Sequence, residues 1–138
     1  MHKVVNNLIS IQNELKIKIK KLNIENYRPK IVAVSKTFTT KDILPLIHHG
    51  HSHFGENKVQ EAIEKWTGIK NDFKNIKLHM IGKLQTNKVK YVIPLFDYIH
   101  SVDNLKLAEK ISTEQIKKNK VMKLFIQINI GNERQKSG

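Results

Sequence analysis

Between Val4 and Leu22 the apolar residues Val4, Leu8, Ile11, Leu15, Ile19 and Leu22 return every three or four positions, which predicts an amphipathic helix with one face to bury. Pro29 ends the linker that follows. Ile31 to Val34 then form a short apolar run rich in β-branched residues, the pattern of a strand buried on both faces. Thr39 and Asp42 have capping-box spacing for a helix running to His49, which Gly50 would stop. Pro45 weakens that helix, because only a first turn tolerates a missing amide donor.

The plan repeats along the rest of the chain. A strand is expected around His53 and Phe54, followed by Gly55 and a helix with Val59, Ala62, Ile63 and Trp66 on one face and Gly68 as its stop. Leu78 to Ile81 read as a third strand, Asn87 to Tyr91 as a short helix and Tyr98 to Val102 as a fourth strand. Asp103 is the expected cap of a helix carrying Leu105, Leu107, Ala108, Ile111 and Ile116, and Val121 to Ile130 contain an alternating fifth strand through Leu124, Ile126, Ile128 and Ile130. Strands alternating with helices, with no Gly-x-Gly-x-x-Gly turn after the first, point to parallel βαβ units in an α/β barrel or a doubly wound sheet. A full eight-stranded barrel takes roughly 250 residues. The sequence stops after its fifth strand, so residues 1–138 are expected to form one partial domain, C-terminally truncated and lacking the later strands. Its first and fifth strands would be open edges, available for pairing with another chain.

Composition narrows the class. The 138 residues are 39% hydrophobic and 27% charged, as in a soluble globular domain. The absence of cysteine excludes a disulfide framework and a thiolate metal site and makes the cytoplasm the default location. No apolar run is long enough to span a bilayer, and the N-terminus is amphipathic rather than signal-like, so no membrane partner is expected. The net charge of +13 raises nucleic acid as a partner, but 23 of the 25 basic residues are Lys, and only Arg28 and Arg134 offer the guanidinium that reads phosphate and base edges in bidentate fashion. Lys, Ile and Asn make up 55 residues, the signature of an A+T-biased coding sequence. No specific nucleic acid partner is expected; nonspecific polyanion binding would follow from charge alone.

Few residues could carry chemistry. Lys36 follows the first strand, at the C-terminal mouth where α/β barrels place reactive groups. Partial desolvation among Val34 and Phe38 would favour its neutral, nucleophilic amine; the plain alternative is a strand-end lysine reaching into solvent. Phe54 to Asn57, FGEN, bring a glycine and two polar residues to the same mouth after the second strand. Asn57 offers donors and an acceptor suited to the phenolic oxygen of a cofactor ring, whereas helix capping explains it equally, and Glu56 is accounted for by a helix dipole. His48, His49, His51 and His53 straddle a glycine turn and are not expected to converge on a metal. His79 and His100 stand singly on the third and fourth strands. GKLQTNK at Gly82 to Lys88 lacks the first glycine of a phosphate loop, and neither Ser35 nor Ser137 has the His and Asp pattern of a nucleophile.

IVAVSKT (Ile31 to Thr37), HFGENKVQEA (His53 to Ala62), LHMIGKLQTNK (Leu78 to Lys88), IHSVD (Ile99 to Asp103) and QINIGNERQKSG (Gln127 to Gly138), in that order, resemble successive motifs of the pyridoxal-phosphate (PLP) homeostasis protein family. The resemblance implies the N-terminal portion, about five βα units, of a TIM-type (β/α)8 barrel of the alanine-racemase kind, with PLP as cofactor, held as a Schiff base on Lys36. By the same resemblance Asn57 is a second cofactor-binding residue, and Lys88 and Lys136 lie near the cofactor's way in. It further implies a carrier serving intracellular PLP supply and PLP-dependent apoenzymes, not an enzyme with a turnover, so no catalytic residue and no metal ligand are expected. The family's phosphate-binding residues and the arginine facing the pyridine nitrogen come from strands beyond Gly138. An amino-acid racemase on the same barrel is the second reading. It would need an acid or base on each face of the substrate carbon, and its usual tyrosine comes from a separate domain. The expected lack of the phosphate-binding strands makes a fragment of a decayed or split gene, with only nonspecific polyanion binding, a further reading, and a basic nucleic-acid module has only charge in its favour.

Overall fold

A computed structural model describes all 138 residues. They form two compact units, one of Met1–Ile31 with Phe38–Ser52 and one of Val32–Thr37 with His53–Gly138.

The first unit pairs two helices, α1 (Lys3–Lys21) and α2 (Thr40–His48). In α1 the apolar stripe is buried chiefly at its start, through Val5 and Leu8, and Lys18, Lys20 and Lys21 place positive charge where the helix dipole is negative. The capping box of α2 is present. The Thr39 hydroxyl and amide donate to Asp42 Oδ2 at 2.8 and 3.0 Å, and these contacts hold the Asp42 carboxyl below the usual carboxylate range. The helix continues through Pro45, burying Ile43 and Ile47, and Gly50 follows it with a φ of 102°, a conformation that favours glycine.

The second unit is a five-stranded parallel sheet of β1 (Ala33–Val34), β2 (His53–Glu56), β3 (Lys77–Met80), β4 (Tyr98–Val102) and β5 (Lys123–Ile126), in the spatial order β1-β2-β3-β4-β5. Sequence pattern left barrel and doubly wound sheet open. The sequential order decides for the barrel arrangement, since a doubly wound sheet reverses direction at a switch point. Between the strands lie α3 (Val59–Asp72), a 3-10 turn (Thr86–Lys88) running into α4 (Val89–Leu95), and α5 (Leu105–Lys117).

Alternation along the strands sorts the side chains. Phe54, Glu56, Leu78, Met80 and Ile99 are buried toward the helices, where Phe54 meets Trp66 of α3 with ring centroids 4.9 Å apart and both residues are inaccessible to solvent. Burial of each large apolar side chain among them stabilises by about 1.5–3 kcal/mol. Ala62, Val89, Val92, Ile93, Leu107 and Ile111 complete the core. At the opposite end of the strands Asp97 accepts from the Leu78 amide and from Lys70, both at 2.8 Å, which ties α3 to the start of β4.

Several expectations need correction. The first strand is only two residues long and is not buried on both faces: Val34 is 49% exposed, because β1 has β2 as its single neighbour. The fifth strand is shorter than expected and exposed at all four positions, with β4 alone beside it in the sheet. Gly68 does not stop α3, which runs four residues further with its tertiary contacts intact. Asn104, not Asp103, caps α5, its side chain accepting from the Leu107 amide at 2.9 Å. No helix is long and apolar enough to cross a membrane.

Candidate functional site

The C-terminal ends of β1 and β2 bring the two expected site residues to neighbouring positions. Val34 is in register with Gly55, and the Ser35 amide extends the ladder to the Gly55 carbonyl at 2.9 Å, so Lys36 and Asn57 leave adjacent parallel strands at the same level. Lys36 is exposed at the first position of a turn, and none of the ion pairs of the structure includes it. The expected desolvation is not present. Its neighbours Val34 and Phe38 are themselves 49% and 55% exposed, because an edge strand two residues long offers little surface to pack over a side chain. Lys36 therefore has the reach of a solvent-facing lysine rather than the environment of a buried one.

The backbone around it is fixed. Ser35 is buried and its hydroxyl donates to Glu56 Oε1 at 2.8 Å, while its carbonyl accepts from Lys65 Nζ, also at 2.8 Å. The Thr37 amide donates to Glu61 Oε1 at 2.7 Å, and Thr37 has a φ of 66°, unusual for a β-branched residue. Glu56 is the hub beneath the turn. It is fully buried within β2 and its Oε1 accepts from Ser35, from Lys65 Nζ at 2.9 Å and from Trp66 Nε1 at 2.9 Å, whereas Oε2 has no partner. The helix-dipole account of Glu56 is thus wrong. The strand runs two residues past Phe54, and its alternation turns Glu56 inward onto α3.

Asn57 follows the strand directly, with its Oδ1 buried and unpartnered. Such an atom is costly to leave unpaired, so it is an acceptor that a ligand donor could complete. The loop after β3 lies directly on Asn57. A Cβ on Gly82 would stand 2.8 Å from both Asn57 Cα and Cβ and nearer still to its carbonyl oxygen, so only glycine permits this approach. The Ile81 amide extends the β2–β3 ladder to the Glu56 carbonyl at 2.9 Å and holds that loop in place.

Lys88 and Lys136 are both exposed, the first in the 3-10 turn and the second paired with Glu133. Residues 127–138 form a loop folded on Gln127 and Asn129: Gln127 Nε2 donates to the Ser137 carbonyl at 2.7 Å and Asn129 Nδ2 to the Glu133 carbonyl at 2.8 Å.

The face of the sheet opposite α3 carries a feature that the sequence did not expose. His79 is not isolated. Its Nε2 lies 2.9 Å from His53 Nδ1 and its Nδ1 lies 2.9 Å from His100 Nε2, so three imidazoles form one hydrogen-bonded row across β2, β3 and β4. Tyr98 stacks on His79 with centroids 4.0 Å apart, and Phe125 lies 4.6 Å from His100. Burial, with His100 and His53 alongside, pushes the His79 pKa down to about 4, and burial lowers His100 as well. The row has no sequence signature, since its members are 26 and 21 residues apart. No three His, Asp or Glu side chains converge as metal ligands.

Comparison with known proteins fits this arrangement of strands and motifs. A PLP homeostasis protein of Haemophilus influenzae is 35% identical over 98% of this chain, which spans 57% of that protein's length. Among solved structures, PipY of Synechococcus elongatus without PLP has a TM-score of 0.75 at 34% identity, covering 85% of this chain and 55% of PipY. PipY with PLP bound has a TM-score of 0.70 at 35% identity, covering 79% and 52%. The chain thus spans little more than half the length of these relatives. The family described as alanine racemase, N-terminal domain, matches residues 11–137, and the chain belongs to that family.

Proposed function

We propose that this chain binds PLP covalently through Lys36, with Asn57 as a second contact, and that it serves intracellular PLP supply as a cytoplasmic carrier for PLP-dependent apoenzymes, without a turnover of its own. Residues 1–138 then contribute part of a PLP-binding barrel domain. The observation that carries the reading is the pairing of an exposed lysine on a fixed backbone with an orphaned buried acceptor at the adjacent strand end. The residues suit the group. PLP supplies an aldehyde carbon that a neutral amine attacks with loss of one water. The exposed Lys36 amine is reachable by a ligand from solvent, and Asn57 Oδ1 offers an acceptor to a ring hydroxyl. The named function of the curated relatives and the PLP held by PipY support the same reading.

The test is visible absorbance of the purified chain with PLP, followed by borohydride reduction and mass mapping, beside Lys36→Ala. The expected result is a reducible band with the pyridoxyl mass on Lys36, lost in the variant. A folded wild-type chain with no reducible adduct, or an undiminished adduct in Lys36→Ala, overturns the assignment.

A further inference from the structure

Lys36 is flanked on both sides by backbone groups that bind side chains of α3 rather than the sheet. Lys65 Nζ holds the Ser35 carbonyl at 2.8 Å, and Glu61 Oε1 holds the Thr37 amide at 2.7 Å. The two clamping groups are joined to each other, Lys65 Nζ lying 3.1 Å from Glu61 Oε1, and Lys65 is anchored in turn on buried Glu56 at 2.9 Å. Both come from one helix at i, i+4 spacing, which places them on the same face. The clamped turn contains the one positive φ of its loop, at Thr37. A β-branched residue keeps that conformation only where its surroundings hold it. The Ser35 side chain is drawn toward α3 by Glu56, and Lys36 follows it in the turn with its side chain exposed.

We propose that Glu61, with Lys65, is a positioning residue for Lys36: it fixes the 35–37 turn so that the Lys36 amine is presented at the strand end shared with Asn57. The inference rests on Lys36 as the PLP-bearing amine. A lysine side chain is flexible, so a fixed backbone beneath it limits the volume its amine samples and raises the fraction of time spent in attacking distance. Glu61 is suited to this role without being part of the core. Its side chain is 28% exposed, and the Thr37 amide, then Lys65, hold its carboxyl below the usual range. Its removal should free the turn and leave the sheet intact.

The experiment compares wild type, Glu61→Ala and Glu61→Gln, the last keeping an oxygen acceptor for the Thr37 amide. Without PLP, hydrogen exchange of the Thr37 amide is followed by NMR; with PLP, borohydride-trapped adduct on Lys36 is measured against PLP concentration. In Glu61→Ala the Thr37 amide should exchange at least about tenfold faster, and half-maximal trapping should need about tenfold more PLP, the size of one charge-assisted hydrogen bond. Exchange of the β3 and β4 amides should be unchanged, and Glu61→Gln should recover most of both losses. A Thr37 amide that exchanges at the wild-type rate in Glu61→Ala overturns the clamp. A freed amide with unchanged trapping overturns its role in positioning. If Lys36→Ala traps as much PLP as wild type, the assignment of Lys36 fails and the positioning role with it, whereas normal Lys36-dependent trapping in Glu61→Ala sinks the positioning role alone.

Discussion

Replacing Lys65 with methionine tests whether the buried charge network carries the stability that its geometry implies. The substitution keeps an unbranched side chain of similar length, so the packing of the lysine stem against α3 and the sheet edge is largely retained. It removes an ammonium that lies 2.9 Å from Glu56 Oε1, 3.1 Å from Glu61 Oε1 and 2.8 Å from the Ser35 carbonyl. These contacts are unequal. Glu61 is 28% exposed, and its pair with Lys65 is worth at most a few tenths of a kcal/mol, roughly what a solvent-screened i, i+4 pair contributes. Glu56 is fully buried, its Oε2 already lacks a partner, and without Lys65 only the neutral donors Ser35 and Trp66 remain to it. Removing one partner of a buried ion pair costs about 3–5 kcal/mol. With an unfolding entropy of about 2.1 cal/mol/K per residue, a 138-residue chain unfolding in one transition has roughly 0.29 kcal/mol/K, and the expected fall in Tm is about 10–17 °C. Thermal unfolding at pH 7, followed by far-UV circular dichroism, reads it directly. Glu56→Gln combined with Lys65→Met should regain a large part of the loss, because an amide can still accept from Ser35 and Trp66 and leaves no buried charge. A single variant within about 1 kcal/mol of wild type, or a double variant as unstable as the sum of the two singles, would refute the reasoning.

Two glycines should respond with opposite signs: Gly82→Ala places a Cβ against the Asn57 backbone and should cost about 1–3 kcal/mol and weaken PLP trapping, whereas Gly68→Ala, in mid-helix with nothing within 4 Å, should stabilise by about 0.5–1 kcal/mol. Thermal unfolding measures both, and the same sign at the two positions would contradict the packing described. The histidine row predicts acid sensitivity. With His79 pushed down to about 4 against about 6.5 when unfolded, the unfolded chain takes up a proton between these values that the folded chain does not, so stability should fall by about 3 kcal/mol as pH drops from 6.5 to 4 and owe nothing to His79 above that window. Urea titrations across this range should show a shallower decline in His79→Phe, and equal slopes in the two proteins would remove the row as the cause.

The local sequence determined most of the elements and the level of the site. Periodicity located the helices to within a few residues, the Thr39–Asp42 spacing marked a real capping box, and a strand running out at Ser35 put Lys36 in a turn, because each of these depends on neighbours close in the chain. The motifs carried the family. Sequence did not determine what covers each strand. Val34 of β1 and Leu124, Phe125 and Ile126 of β5 are apolar but exposed, since burial depends on neighbours that periodicity does not name, and for the same reason Lys36 lacks the desolvation its apolar flanks suggested. Glu56 and the three histidines show the same division. A carboxylate beside a glycine and histidines more than 20 residues apart are ordinary in sequence, and only the parallel register of β2, β3 and β4 joins the rings into one row and turns Glu56 onto Lys65 and Trp66. Local propensity acts over three or four residues, whereas hydrogen-bond partners and solvent exclusion are set by strand register and helix packing, which exist only once the sheet has assembled.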